Sequence, residues 1–373
     1  SLIECGYLAT DEHVGNYLCF HPSHEILTET GWKSVADVKM WEPVATVDPA
    51  TNEMWYEPVT AVHEYDYDGE MIEVEQKNGI SMCVTPNHTV WCRTPDKPEP
   101  RPFRADSMPA VARIPRTTRA GRQRMPHDFV FASDGNNGRT ITVDPKTWAE
   151  FLGWFASEGS TDVGRWAVRI HQQKAEGCAQ IENLLDRMEV NWWYSSGTYS
   201  FSSKAMCEYL REHVGTLSGN KRLPSHLVRW FPAELLDIFL DAYTEGDGTK
   251  YRDDTYRIIV TSSPKMADDL SHVAVKAGWR VTSAEQPKQA FNGYRGEGPM
   301  YRIYLSRAKS GEGQVRPDAV KRVPYQGKVH CVTVGPHNTL VTRRNGRVHW
   351  TGNSAEYDAI IIDEATQLMP DHI

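Results

Sequence analysis

Asn353-Ser354 is the pair with the most directed chemistry in the chain. An asparagine side-chain amide can attack its own backbone carbonyl, close a succinimide and cut the chain behind it. The attack is intramolecular, so proximity supplies much of the acceleration. A serine hydroxyl beside the cut can accept an acyl group. Cys19 carries a thiol, a strong nucleophile even at modest thiolate fraction, although the commoner fate of a lone cysteine is a small buried hydrophobe. His88, with an ordinary pKa of about 6.5, suits proton transfer in either direction. Two apolar stretches end in acids, the first running from Phe151 to Glu158 and the second from Leu240 to Asp247. Carboxylates brought together from two such ends can bind divalent metal, and hard oxygen donors favour Mg²⁺. A third apolar run, Ala359-Ile360-Ile361-Ile362, leads into Asp363-Glu364. In that layout the Asp holds Mg²⁺ and the Glu polarises water, but the chain has no Gly-x-x-x-x-Gly-Lys-Ser/Thr loop, which excludes a complete ATPase of that kind.

The elements that must carry these residues are of two kinds. Residues 19–95 read as short strands such as Val44–Val47, Met71–Glu75 and Ile80–Val84, separated by turn residues. The same holds for 326–353, with Val329–Val334, Thr339–Thr342 and an Asn345-Gly346 turn. Between them, 146–158 and 233–247 have helical apolar spacing, and strand-like runs at Trp166–Ile170 and Tyr256–Val260 accompany them. An all-β module split by an α/β insert is therefore expected. Residues 101–125 hold seven arginines against one acid, Asp106, together with prolines that interrupt regular structure; they read as a boundary, either a solvated linker or a footprint for phosphates.

The 373 residues suggest two or three domains, and 40% hydrophobic with 24% charged residues excludes a disordered or collagen-like chain. No apolar run approaches the roughly 18 residues of a membrane span. The net charge of −8 gives no sign of nucleic-acid binding at the level of the whole chain, and the N-terminus, without Met, is read as that of a fragment. Seven cysteines, none in a CxxC pair, argue for reduced thiols.

Taken in order, Cys19-Phe20, Thr28, Gly31-Trp32, Thr85-Pro86-Asn87-His88, Val329-His330-Cys331 and Thr351-Gly352-Asn353-Ser354 resemble the splicing motifs of an intein of the Hint fold. The two acid-ended stretches are similar to the paired motifs of LAGLIDADG homing endonucleases. When residues 1–18 are joined to 354–373, the product resembles the Walker B neighbourhood of a phage terminase large subunit, so 19–353 would be an insertion.

The resemblance implies that Cys19 takes the Leu18 acyl group, that Thr85 and His88 assist at the Leu18–Cys19 amide, and that Asn353 cyclises while Ser354 accepts the acyl group. Trp91, Cys331 and Thr351 match the Trp-Cys-Thr set of class 3 inteins, in which the inner cysteine attacks first; since Cys19 is also present, the first nucleophile is open between Cys19 and Cys331. Gly352 stands where many inteins have His, with His349 or His337 as substitutes.

In the nuclease part, Gly153 and Ala242 would let two helices pack closely, Glu158 and Asp247 would hold metal, and Lys221 would steady phosphate or water. Glu158 departs from the usual Asp, and a decayed nuclease is compatible with that. DNA contacts would come from Arg165, Arg169, Lys174, Arg252, Arg257 and Arg302, while Trp192-Trp193-Tyr194 would pack in the core.

The expected fold is mixed: a split all-β Hint domain at 19–125 and 321–353, an inserted α/β (α+β) endonuclease at 126–320, and flanking host segments at 1–18 and 354–373. Splicing would need no cofactor and the nuclease would need Mg²⁺. The partners would be the chain's own flanks and duplex DNA, with no membrane; a monomer in the cytoplasm of a phage-infected host cell is expected. The rival readings are a terminase ATPase fragment with a structural insert, and a hedgehog-type processing module, which needs neither Asn353 nor Ser354.

Overall fold

Short apolar runs cut by turn residues become strands here because each can bury one face and hand its backbone groups to a neighbour. The computed structural model describes residues 18–76, 79–132, 140–252, 254–287, 299–307 and 312–353. The strands Ala61–Glu75 and Val320–Thr333 run antiparallel over their whole lengths, from Val74 opposite Val320 to Ala61 opposite Thr333. Ser81–Val84 completes that sheet. The Asn345-Gly346 turn joins Thr339–Arg344 to Arg347–Gly352, and both turn residues take positive φ, as a tight hairpin requires.

A larger sheet of eleven strands crosses the molecule. It runs through Glu53–Pro58, Pro43–Val47, Glu25–Thr28, Thr339–Arg344 and Arg347–Gly352, and then into Arg280–Pro287, Pro299–Ser306, Tyr256–Thr261 and Gly248–Tyr251. At the seam Thr282 faces Arg347, and the Ser283 N–H donates to the Gly346 carbonyl at 2.8 Å.

The middle of the chain is an internal duplication. Helix α1 (Pro145–Glu158) is followed by strands Gly159–Asp162 and Ala167–His171, then α2 (Ala175–Arg187), then strands Trp192–Ser195 and Thr198–Ser202. After α3 (Lys204–His213) and α4 (Ser225–Trp230) the same succession returns: α5 (Ala233–Asp247), Gly248–Tyr251, Tyr256–Thr261, α6 (Pro264–Lys276), Arg280–Pro287 and Pro299–Ser306. Each set of four strands has the same order, first, second, fourth, third. Asp144 caps α1 by accepting from Lys146 N and Thr147 N, and Pro145 occupies the first turn, where a missing N–H costs nothing.

Helices α1 and α5 cross where Gly153 has no side chain. A Cβ there would lie 2.5 Å from the Phe239 carbonyl oxygen and 2.7 Å from the Ala242 Cβ. Trp148, Phe151, Trp154, Leu236, Phe239 and Leu240 form the core around this crossing. A second core, with Cys19, Phe20, Ile26, Met71, Val84, Cys331 and Leu340, lies under the long strand pair. Among the described residues no helix is long and apolar enough to cross a membrane.

Three expectations are corrected. The proline-rich run is not irregular: Lys97–Arg104 is a strand paired with Thr89–Thr94 at the edge of a four-stranded sheet. Its prolines at alternate positions put the missing N–H groups on the unpaired side, which an edge strand tolerates. Arg116 is not solvated but 2% exposed, donating to the carbonyls of Val348 (3.1 Å) and Val281 (3.0 Å) and to Thr282 Oγ1 (2.9 Å) across the seam. The Trp192-Trp193-Tyr194 run does not pack wholly in the core, because on the edge strand of its sheet Trp193 and Tyr194 are left exposed.

Candidate functional site

Phe20 pins the start of the 19–353 segment. Its N–H donates to the His330 carbonyl at 2.8 Å and its carbonyl accepts from His330 N at 3.0 Å, while on its other side it bridges Val84. Cys19 is thereby held between two strands. Its N–H donates to Thr85 Oγ1 at 3.0 Å, and its carbonyl accepts from Thr85 N at 3.0 Å. The Cys19 thiol is fully buried and hydrogen-bonded to Cys331; that bond first, and burial second, push its pKa well above the ordinary thiol range. Deprotonating Cys19 therefore costs the bond it makes to Cys331.

His88 follows in the turn that starts at Thr85, its N–H bonded to the Thr85 carbonyl at 3.0 Å. The ring is fully buried, edge-on to Phe20 at 4.6 Å between centroids. Thr351 Oγ1 donates to the Thr89 carbonyl at 2.9 Å and lies 3.2 Å from His88 Nε2. With the hydroxyl proton committed to Thr89, Thr351 accepts from Nε2–H, which fixes the neutral ring as the Nε2–H tautomer. Nδ1 is buried and makes no hydrogen bond to another side chain. Burial pushes the ring's pKa down to about 4, and the one influence opposing it is the Leu18 backbone, a hydrogen-bond acceptor for the charged ring. So a histidine whose side chain reaches Leu18 is tied through Thr351 to the strand that ends at Asn353.

Asn353 is 2% exposed. Its N–H donates to the Asn338 carbonyl at 3.0 Å and its Nδ2 to the Val334 carbonyl at 3.1 Å, while Oδ1 has no partner. Gly352 has a steric reason: a Cβ there would lie 2.6 Å from the Thr89 Cβ and 2.8 Å from the Thr89 carbonyl oxygen. No histidine fits at 352 in this packing. Of the two substitutes, His349 is fully buried, 3.4 Å from Thr342 Oγ1 and within 6.4 Å of the His24 ring, and burial pushes its pKa down to about 3. His337 lies near Asp48, whose carboxyl is held below its usual range first by the Ala50 backbone N–H and Thr51 and only then by His337. Trp91 packs on Trp350 at 5.9 Å between ring centroids, so this member of the set takes part in the packing between sheets. Ser354 lies outside the described residues, as do 1–17 and the acid-ended run at 359–364.

The second constellation sits where α1 and α5 end. Glu158 and Asp247 are each followed at once by glycine and a strand. A Cβ on Gly246 would lie 3.0 Å from Glu158 Cγ, so the two helix ends touch. Lys221 is buried between them. Its Nζ donates to the carbonyls of Phe155 (3.2 Å), Ala156 (2.9 Å) and Ser157 (3.1 Å), the last turn of α1, where a cation also complements the helix dipole. Burial lowers the Lys221 pKa, with Asp247 and Glu158 acting against it. Asp247 is pushed up to about 7, first by burial and then by Glu158, and Lys221 only partly compensates. Two carboxylates that repel each other at the end of a helix pair fit a divalent cation, which would replace the proton Asp247 otherwise holds. Among the described residues no group of three or more His, Cys, Asp and Glu is placed to hold a metal, so such an ion would draw its remaining ligands from water and substrate.

Of the residues expected to touch DNA, Arg257 is committed elsewhere. It is 5% exposed, paired with Asp254 and with Asp241 at 3.0 Å, and stacked on Trp279. Arg169 is paired with Asp162. Sequence reasoning missed His24, whose Nε2 accepts from Cys83 N at 2.9 Å beside this site, and the carbonyls of Thr89 and Val334. Backbone acceptors leave no mark in residue types, and His24 has no distinguishing neighbour.

No family model matches the chain. Two curated proteins are similar to it. The ATP-dependent Clp protease proteolytic subunit of Chlamydomonas moewusii is 26% identical over 71% of this chain and 28% of its own length. The DNA-directed RNA polymerase subunit beta C-terminal section of Stigeoclonium helveticum is 22% identical over 90% of this chain and 36% of its own length. The chain thus spans about a third of the curated relatives it matches. Solved structures similar to parts of it include both inteins and LAGLIDADG proteins. The class 3 split intein AceL NrdHF covers 34% of this chain and 71% of its own, at 14% identity and TM-score 0.23. The homing endonuclease I-DmoI in complex with DNA and manganese covers 43% and 90%, at 15% identity and TM-score 0.30.

Proposed function

We propose that residues 19–353 are a protein-splicing element of the intein class, carrying a DNA endonuclease lobe of the LAGLIDADG kind between the halves of its splicing domain. The observation that carries this reading is that both ends of the segment are drawn into the same strands: Phe20 exchanges both backbone hydrogen bonds with His330, and His88, in the turn after Thr85, lies 3.2 Å from Thr351 Oγ1. A structural insert has no need to bury both Cys19 and Asn353. The two curated relatives add support. Their names denote unrelated activities, yet each matches this chain over about a third of its length, as a module inserted into different hosts would.

In this reading the Leu18 acyl group leaves the Cys19 nitrogen for sulfur, either that of Cys19 or that of Cys331 beside it. Thr85 holds both backbone polar groups of Cys19, including the N–H of the peptide that breaks. The thiol proton passes by way of His88 to the departing Cys19 nitrogen. The acyl group then passes to the Ser354 hydroxyl. Asn353 cyclises through Nδ2, which must first release the Val334 carbonyl, and the ester rearranges to an amide joining Leu18 to Ser354. In the nuclease lobe Glu158 and Asp247 would hold Mg²⁺, which when bound supplies charge neutralisation at a scissile phosphate; Lys221 keeps the end of α1 in place. The flanks, 1–18 and 354–373, would be terminase-like host sequence, and the uninterrupted host gene the DNA target.

The test is the intact mass of the freshly expressed chain. Splicing gives a 19–353 species and a peptide joining 1–18 to 354–373, and Asn353→Ala removes both. A single full-length species that persists on long incubation overturns the splicing reading. For the nuclease lobe, a duplex carrying the uninterrupted coding junction should be cut with Mg²⁺ present and left intact by Asp247→Asn.

A further inference from the structure

Cys19 and Cys331 stand in a relation that their separate roles do not require. Phe20 and His330 exchange both backbone hydrogen bonds, at 2.8 and 3.0 Å, and form an antiparallel bridge. In an antiparallel ladder the residues flanking such a pair face each other without backbone bonds between them. Cys19, just before Phe20, therefore faces Cys331, just after His330. At such positions Cα atoms lie about 4.5 Å apart, with both side chains on one side of the sheet. A disulfide needs a Cα separation of about 4.4–6.8 Å, so the backbone is already placed for one. The two residues are thiols here, both fully buried and hydrogen-bonded to each other.

No other cysteine among the described residues faces a cysteine across a ladder: Cys83 faces Glu73 and Cys92 faces Arg101, while Cys178 and Cys207 lie in helices. Cys331 is itself paired on its other side with His63 in the long strand pair, which fixes its position. Both sulfurs are buried, and Leu18, the next residue towards the start of the strand, is only partly so; reaction with an oxidant requires the strand to open at that end.

We infer that Cys19 and Cys331 form a reversible cross-strand disulfide that holds the splice site inactive until it is reduced. The inference rests on the splicing reading for its consequence, although not for the bond itself. The oxidant is a low-molecular-weight disulfide such as oxidised glutathione. One cysteine, giving up its proton as the site opens, attacks a sulfur of that disulfide; its S–S bond breaks and one glutathione leaves as a thiol. The second cysteine then attacks the protein sulfur of the mixed disulfide and expels the other glutathione. Two protein thiols are oxidised by two electrons, the glutathione disulfide is reduced to two thiols, and the two cysteine protons end on them. Because the bond uses both sulfurs, it blocks the first step whichever cysteine makes the attack.

The experiment treats the full chain with oxidised glutathione, blocks remaining thiols with an alkylating reagent, and maps unreduced peptides by mass. Both cysteines lie within 19–353, so the bond is readable whether or not the flanks have been released. The expected result is a linked pair of peptides holding Cys19 and Cys331. It should be absent from Cys19→Ser and Cys331→Ser, and dithiothreitol should remove it from the wild type. Splice products should stop forming in the oxidised fraction and resume on reduction. Alkylation of both cysteines with no linked peptide overturns the inference, as does linkage of Cys83 or Cys92 in equal yield. Splicing at an unchanged rate in chains shown to be bridged overturns the gating. A bridge in a chain that never splices under reducing conditions instead sinks the splicing reading and leaves the bond standing.

Discussion

Gly153→Ala sets two magnitudes against each other. Alanine is the better helix former by about 1 kcal/mol, so on propensity alone the substitution in α1 stabilises. The structure opposes it with distances. The new Cβ would sit 2.5 Å from the Phe239 carbonyl oxygen, 2.7 Å from the Ala242 Cβ and 3.0 Å from the Tyr243 nitrogen. Two of these three obstacles are backbone of α5 and cannot turn aside. Overpacking of a closed core typically costs about 1–3 kcal/mol, and a clash with backbone belongs at the upper end. The net is a loss of about 1–2 kcal/mol, or about 2–8 °C in melting temperature for a lobe of this size. The assay is urea denaturation, with Gly219→Ala as control, since a Cβ there meets nothing within 4 Å. Adding Ala242→Gly removes the middle obstacle and should restore only part of the loss. A Gly153→Ala chain as stable as wild type, with an unchanged m value, would refute the close backbone crossing; complete rescue by Ala242→Gly would refute the role given to the backbone atoms.

Four further outcomes are expected. Thr351→Val leaves His88 Nε2–H buried without an acceptor, at about 1–3 kcal/mol, so splicing followed by gel densitometry should slow about tenfold to a hundredfold with the fold retained; an unchanged rate would remove Thr351 from the site. Gly352→His should fail to accelerate Asn353 cyclisation and should lower stability, because of the contact with Thr89; faster release of 354–373 would contradict this. Asp247 is an acid whose folded pKa, about 7, lies above its ordinary value of 3.8. The folded chain therefore keeps a proton that the unfolded chain has lost, and stability falls as pH rises between these values. Asp247→Asn should flatten that slope, and Mg²⁺ should raise the melting temperature at pH 8 in the wild type alone. Lys221→Met deletes three bonds from an ammonium to the end of α1 and should cost about 2–4 kcal/mol by denaturation, a surface lysine's near-zero effect being the contrary result.

What could be read from residues alone was what local pattern encodes. The acid-ended apolar runs at Phe151 and Leu240 marked α1 and α5, and the missing side chain of Gly153 marked their crossing. Asn345-Gly346 marked its hairpin because both residues tolerate positive φ. The candidates Cys19, Thr85, His88, Cys331, Thr351 and Asn353 are singled out by the resemblance of their motifs to those of inteins, and in the fold all six are buried. What escaped was set by partners distant in sequence. Arg116 reads as a solvated arginine until the carbonyls of Val281 and Val348 converge on it. Lys97–Arg104 reads as a breaker until its place at a sheet edge gives the prolines somewhere to face. The tautomer of His88 depends on the Thr89 carbonyl, which no residue type announces.

The seam at Arg116 bears on how this chain could be shortened. Removing the duplicated middle lobe would take away Val281 and Thr282, and with them two of the three acceptors of a buried guanidinium. It would also remove the partner of Arg347, Thr282, at the start of the strand that leads into Asn353, and an unpaired strand edge invites pairing with another chain. Losing the carboxylates Glu158 or Asp247 disturbs neither. If the proposed function holds, DNA cleavage is open to loss by point substitution while the lobe itself is retained, and a laboratory miniature would need a new side chain at 116 and a cover for the edge at Arg347.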